Sequence, residues 1–170
     1  MIDMSTKFSI SGIIKDHINT LYKYDNKGRD WISIVIDLIL PFIIAIILIV
    51  FRIIIIRSEF NVILTAFSIF AALLLNLMIL IYSIMNKEKS KDEKQQDHQK
   101  LKLLKETYEN IHFTVLISVI IIFLILIMLF IPFNICIELL LSFIVYYFIF
   151  TFIFTLFMIL KRMRAIMSNE

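Results

Sequence analysis

Apolar residues fall in four long runs, at 31–56, 62–85, 111–131 and 137–160, separated by short segments rich in charge and turn formers. A helix needs roughly 20 apolar residues to cross a bilayer, so each run predicts a transmembrane helix. Membrane strands would instead alternate apolar and polar positions over about 10 residues. These runs are continuously apolar, and Gly12 and Gly28, the chain's only glycines, lie outside them. The predicted fold is an all-α membrane protein of four transmembrane helices. They pair as two antiparallel hairpins, with an N-terminal amphipathic helix and a cytoplasmic extension of helix three. The predicted segments are a cytoplasmic N-terminal region (1–30), a first hairpin (31–85), a charged cytoplasmic linker, helical toward its end (86–110), a second hairpin (111–160) and a cytoplasmic tail (161–170).

Finer periodicities add detail. In SGIIKDHINTLYKY, from Ser11, the residues Ile14, Ile18, Leu21 and Tyr22 share one helical face. Such a helix rests on the membrane surface or packs on a cytosolic neighbour. Leu101, Leu104, Tyr108 and Ile111 step by 3, 4 and 3, a helical seam continuous with the third span. The stretch 87–99 is almost wholly charged or amide and reads as flexible or frayed. The first run, taken as one helix, is about 39 Å long. Pro41 is expected to bend it. RSEFN and IPFNI read as the two outer turns, with Glu138 near the second.

Composition supports burial in lipid. The chain has 170 residues, is 61% hydrophobic and has a mean hydropathy of +0.93, against about 45–50% apolar for soluble domains. Its net charge of +3 is unevenly placed. Five basic residues precede the first run, seven lie between the second and third, and three follow the fourth; only Arg52 and Arg57 sit elsewhere. The positive-inside rule then puts both termini and the central linker in the cytoplasm, in a multi-pass protein of the plasma (inner) membrane. Trp31 and Tyr82 fall near the cytoplasmic interface, where amphipathic rings settle. Residues 1–30 carry charge throughout and lack the apolar core of a secretory signal. The single cysteine, Cys136, excludes an intrachain disulfide.

Catalytic motifs are missing from the sequence. His17, His98 and His112 have no metal-ligand spacing, and there is no GxSxG, P-loop or glycine-rich phosphate loop. The expectation is a non-enzyme without cofactor or metal. What remains are polar residues within apolar runs. Thr65, Ser68, Ala72, Asn76 and Ser83 form one helical stripe in the second run. Small residues there permit close helix approach, with the Asn76 amide bonding across the contact; alternatively the stripe lines a pore. Asp37, in the first run, and Thr114, opening the third beside His112, belong to the same cytoplasmic half. A carboxylate at that depth needs a partner or water. Tyr147, Thr151 and Thr155 form a milder stripe, read as packing, and the phenylalanines of YYFIFTFIFTLF are assigned to lipid contact. Lys15, Lys23, Lys27, Arg29, Lys100, Lys102 and Lys105 form a basic cytoplasmic surface that suits an anionic ligand or anionic lipid.

The run SIFAALLLNLMILIY, the charged linker, and KETYENIHFTVLISV opening the third span resemble the small four-span membrane effectors of prokaryotic anti-phage defence loci. The Hailong-type effectors are the nearer match in layout, and Kiwa-type membrane components the looser one. The resemblance covers residues 11–131. It implies a homo-oligomeric ion channel or pore, silent until a nucleotide or oligonucleotide signal from a partner nucleotidyltransferase opens it. A non-conducting membrane scaffold for a cytosolic defence partner and a small transporter are the alternatives.

Overall fold

The computed structural model describes residues 10–22, 35–90, 97–130 and 134–168. They form α1 (Ile10–Tyr22), a π-helical turn (Val35–Ile39), α2 (Leu40–Val50), α3 (Arg57–Lys89), α4 (His98–Phe130) and α5 (Ile135–Ser168), with no strand among the described residues. The expected all-helical class is observed. The long helices α3, α4 and α5 are each long and apolar enough to cross a membrane. At 33 or 34 residues they run about 50 Å, beyond a hydrocarbon core of about 30 Å. Trp31 lies outside the described residues.

The central helix is α4, which packs on α3, α5 and α1, while α2 and the π turn pack on α5. The packing follows seven-residue periods. Phe60, Phe67, Leu74, Ile81 and Glu88 are the buried line of α3. In α4, Leu104, Ile111, Ser118 and Ile125 alternate with Thr107, Thr114, Ile121 and Met128, all buried. In α5, Val145, Phe152, Ile159 and Ile166 form the matching line. Burial at seven-residue steps is the period of a coiled-coil seam. The expected seam through Leu104 and Ile111 is therefore real and extends through the whole of α4. Its partner on one side is α3, where Tyr82 meets Tyr108 with ring centroids 6.2 Å apart. Phe152 is a core residue enclosed by Phe67 and Phe70, whereas Phe157 is exposed, so lipid contact describes only part of the phenylalanine-rich stretch.

The first apolar run departs from a single bent helix. Pro41 lacks an N–H, and its ring crowds the carbonyl of Asp37, four residues back. The backbone widens there into the π turn Val35–Ile39 before α2 begins. At the far end, α2 stops at Val50. Arg52 adopts φ 55°, Ile53 N–H bonds Leu48 O at 3.0 Å, and Arg52 N–H bonds Ile49 O at 2.9 Å. That is a Schellman termination with arginine at the left-handed position. Residues 53–56 have no assigned secondary structure, and the expected RSEFN turn is instead the first turn of α3. The connection comes earlier than expected because the left-handed Arg52 ends the helix before the apolar run ends.

The central linker is also shorter than expected, since α3 continues to Lys89 and α4 begins at His98. Asp97 Oδ1 accepts the N–H groups of Gln99 (2.9 Å) and Lys100 (3.0 Å), an N-cap. The buried Glu88 accepts the Asp97 N–H at 3.2 Å, fastening the end of α3 to the start of α4. Pro132 and residues 91–96 lie outside the described residues.

Two groups of side chains mark the ends of the bundle. α1, the end of α3, the start of α4 and Arg162 of α5 gather at one. Ile49 and Arg52 meet Ile135 and Cys136 at the other. The chain between Leu38 and Arg52 accordingly runs alongside α5 from the level of Phe148 to that of Cys136.

Candidate functional site

The buried polar residues concentrate where α1 lies against α4 and α5. His17 and Thr20, one helical turn apart, point at α4. His17 Nδ1–H donates to Asn110 Oδ1 at 2.9 Å, and the imidazole stacks on Phe113 at 3.8 Å between centroids. The Thr20 hydroxyl has two acceptors at 2.7 Å, Asn110 Oδ1 and His17 O; its one proton serves one at a time. Arg162 closes the network from α5. Its Nη1 donates to Glu106 O at 3.1 Å and its Nη2 to Thr20 O at 3.2 Å. Nη2 also lies 3.7 Å from Glu106 Oε2. Thr20 O is among the last carbonyls of α1, which an intrahelical N–H cannot reach. A cation there satisfies that carbonyl and the helix dipole together.

Two atoms of this network keep no partner among the described residues, Glu106 Oε1 and Asn110 Nδ2. A buried donor or acceptor without a partner costs about 1–3 kcal/mol, so the α1 contact is specific in geometry without being maximally stable.

α1 separates two cavities of opposite character. On its polar side a groove of 530 Å³ runs between α1 and the adjoining ends of α3 and α4, with Asp16, Lys89, Lys102, Lys105, Glu106 and Glu109 in its walls. A neighbouring cavity of 420 Å³ reaches His112. Lys105 leans toward Glu109 at 3.9 Å and is otherwise largely solvent-facing, an arrangement worth little on a surface. On the other side an apolar slot of 210 Å³ lies between α1, Leu38, α4 and α5.

The sequence-predicted residues divide among these places. Lys102 and Lys105 come together on the groove, while Lys100 is half-buried outside it and Lys15 is exposed on α1. Lys23, Lys27 and Arg29 lie outside the described residues. Thr65, Ser68, Ala72, Asn76 and Ser83 all lie exposed on α3, away from the Phe60–Phe67–Leu74–Ile81 line. Thr65 and Ser68 bond their own backbone at Asn61 O and Leu64 O, both 2.7 Å, whereas Asn76 has no hydrogen-bond partner among the described residues. Thr114 is buried in the α4 seam and donates to Asn110 O at 2.7 Å. It therefore does not share a face with Asn76 within one chain. Asp37 lies in the π turn.

The α4–α5 contact has its own polar seam. Arg162 of α5 meets Glu106 of α4 in an antiparallel pairing, and Thr114, Ser118, Thr151 and Thr155 of the two helices are all buried. Thr107, Thr114, Ser118, Thr151 and Thr155 return their hydroxyls to carbonyls of their own helices. The packing role expected for Thr151 and Thr155 matches this geometry: small side chains with internally satisfied hydroxyls let helices approach closely.

No sequence motif marks His17, Thr20, Glu106, Asn110 and Arg162 as a group. A signal was present in Glu106, Asn110, Thr114 and Ser118, which recur every four residues and place a polar line on one face of an apolar helix. No family model, curated protein or solved structure matches the chain.

Proposed function

We propose that the chain is one subunit of a homo-oligomeric gated pore, a membrane-disrupting effector that opens on a nucleotide signal during anti-phage defence. It crosses the plasma membrane four times, with 35–56 included, and keeps both termini cytoplasmic. The grouping of α1, the α3–α4 junction and Arg162 at one end of the bundle supports an even number of crossings, as does the concentration of basic residues in those segments. The exposed Lys102 and Lys105, on a groove that also carries Asp16, Glu106 and Glu109, are the cations that would meet an anionic signal. The α1 contact through His17 and Asn110 is the element such a signal would shift.

The observation that carries the proposal is the outward-facing, unpaired Asn76 on α3. In hydrocarbon an unsatisfied amide costs several kcal/mol. A second copy of the chain, or water in a path between copies, relieves that cost. Ion release from vesicles containing the full chain tests this: Asn76→Leu should abolish flux while cross-linked oligomers persist, because an apolar constriction closes a pore by dewetting. Unchanged flux from Asn76→Leu oligomers would remove Asn76 from any conducting path.

A non-conducting scaffold for a cytosolic defence partner is the second reading. It draws support from the buried Thr114 and Thr155 of α4 and α5, whose hydroxyls are returned to their own helices. Absence of ion release under every signal tested would favour it.

A further inference from the structure

The apolar slot beside α1 is a lipid-binding site: we propose that it seats one acyl chain of an anionic phospholipid, with the headgroup held at Lys15. Its walls come from Ile14 and Ile18 of α1, Leu38 of the π turn, Leu116 and Ile120 of α4, and Phe148 of α5. These are four separate segments, so the slot exists only while α1 is docked. Ile14 and Ile18 are each 41% exposed and Leu38 57% exposed. On a chain that carries three membrane-length helices, apolar walls left open beside those helices meet lipid tails. The polar residues of its wall are His17, Tyr147 and Thr151; His17 is engaged with Asn110 and stacked on Phe113, and the Thr151 hydroxyl is returned to Tyr147 O.

A lysine next to the α1 wall of the slot in sequence chooses the lipid. Lys15 is exposed on α1 between Ile14 and Ile18 in sequence, and on the helix it projects away from the buried His17–Thr20 side. An amphipathic helix at the interface puts such a lysine at headgroup level, where it attracts phosphate of an anionic lipid. The acyl chain would then fill the space between α1 and the π turn, holding α1 against the bundle from the side opposite the charged groove. Lipid composition becomes a second control on α1, independent of any ligand in that groove.

The test uses the full chain reconstituted in nanodiscs of mixed phosphatidylcholine and phosphatidylglycerol, released into detergent and examined by native mass spectrometry. The wild type is expected to retain phosphatidylglycerol preferentially. Ile18→Trp and, from the opposite wall, Ile120→Trp fill the slot and should each cut retained lipid at least severalfold. Unchanged helical circular dichroism would show that the variants fold. Lys15→Glu should keep a bound lipid while reversing the preference toward phosphatidylcholine. Retention by either folded tryptophan variant at the wild-type level overturns the proposal. Loss of oligomer without loss of lipid would assign the slot to a neighbouring copy and overturn it equally.

Discussion

His17 of α1 and Asn110 of α4, 93 positions apart, are joined by a 2.9 Å hydrogen bond buried from solvent. With the Thr20 hydroxyl on the same amide oxygen, one side chain fixes both the rotation and the height of α1 against the bundle. Arg162 then caps α1 from α5, so three helices share one polar joint.

Asn110→Leu removes the amide oxygen shared by His17 Nδ1–H and the Thr20 hydroxyl, and leaves that hydroxyl to His17 O within α1. The loss of such bonds costs about 1–3 kcal/mol, or roughly 5- to 150-fold in the docking equilibrium of α1. Hydrogen exchange on the reconstituted protein should show faster exchange across Ile10–Tyr22, with α4 and α5 protected as before. Equal protection of α1 in the variant and the wild type would show that the joint does not hold the helix.

Arg162→Met strands the buried Glu106 carboxylate, whose Oε2 lies 3.7 Å from the guanidinium. Breaking one member of a buried pair typically costs about 3–5 kcal/mol. Adding Glu106→Gln should recover part of that loss, because the uncompensated charge is gone. Thermal unfolding in detergent of the two single variants and the double variant provides the cycle. Strict additivity would mean that the two side chains are not coupled.

Membrane orientation is open to cysteine labelling in a Cys136→Ser background. Ser58→Cys and Asn134→Cys should react with an impermeant reagent from outside intact cells. Lys15→Cys and Lys102→Cys should react only after lysis. Labelling of Lys15→Cys from outside would mean that the segment 35–56 does not cross.

Charge reversal on the groove tests the signal. Lys102→Glu with Lys105→Glu should weaken oligonucleotide binding at least tenfold at low salt, with a shallower salt dependence, since fewer phosphate contacts release fewer counterions. Insertion and oligomer size should not change. Full affinity in that variant would place any nucleotide elsewhere.

In a cation path, Asp37→Asn should move selectivity away from cations, because a ring of carboxylates concentrates them. Reversal potentials across planar bilayers are the measurement. If the variant changes thermal stability alone, the carboxylate belongs to the packing of the π turn.

The helical class was legible because it depends on local quantities: runs of apolar residues longer than a bilayer is thick, and the absence of glycine within them. The Leu104–Ile111 seam was legible for the same reason, since a helix repeats its faces at short range. Which polar residues would be buried was a different matter. Asn76 and Asn110 are both asparagines on apolar helices, yet Asn76 faces outward and Asn110 is the center of a buried joint. That difference depends on the rotation of α3 and α4 about their axes, which large residues such as Phe67 and Leu104 set by packing against other helices. The end of α2 was likewise invisible to hydropathy, because residues 53–56 are as apolar as the helix before them. Arg52 entering the left-handed region is a backbone event. The docking of α1 needed the fold itself: His17, Asn110 and Arg162 are far apart in the chain, and they meet only because α5 pairs antiparallel with α4 and α1 packs on α4 at that same end.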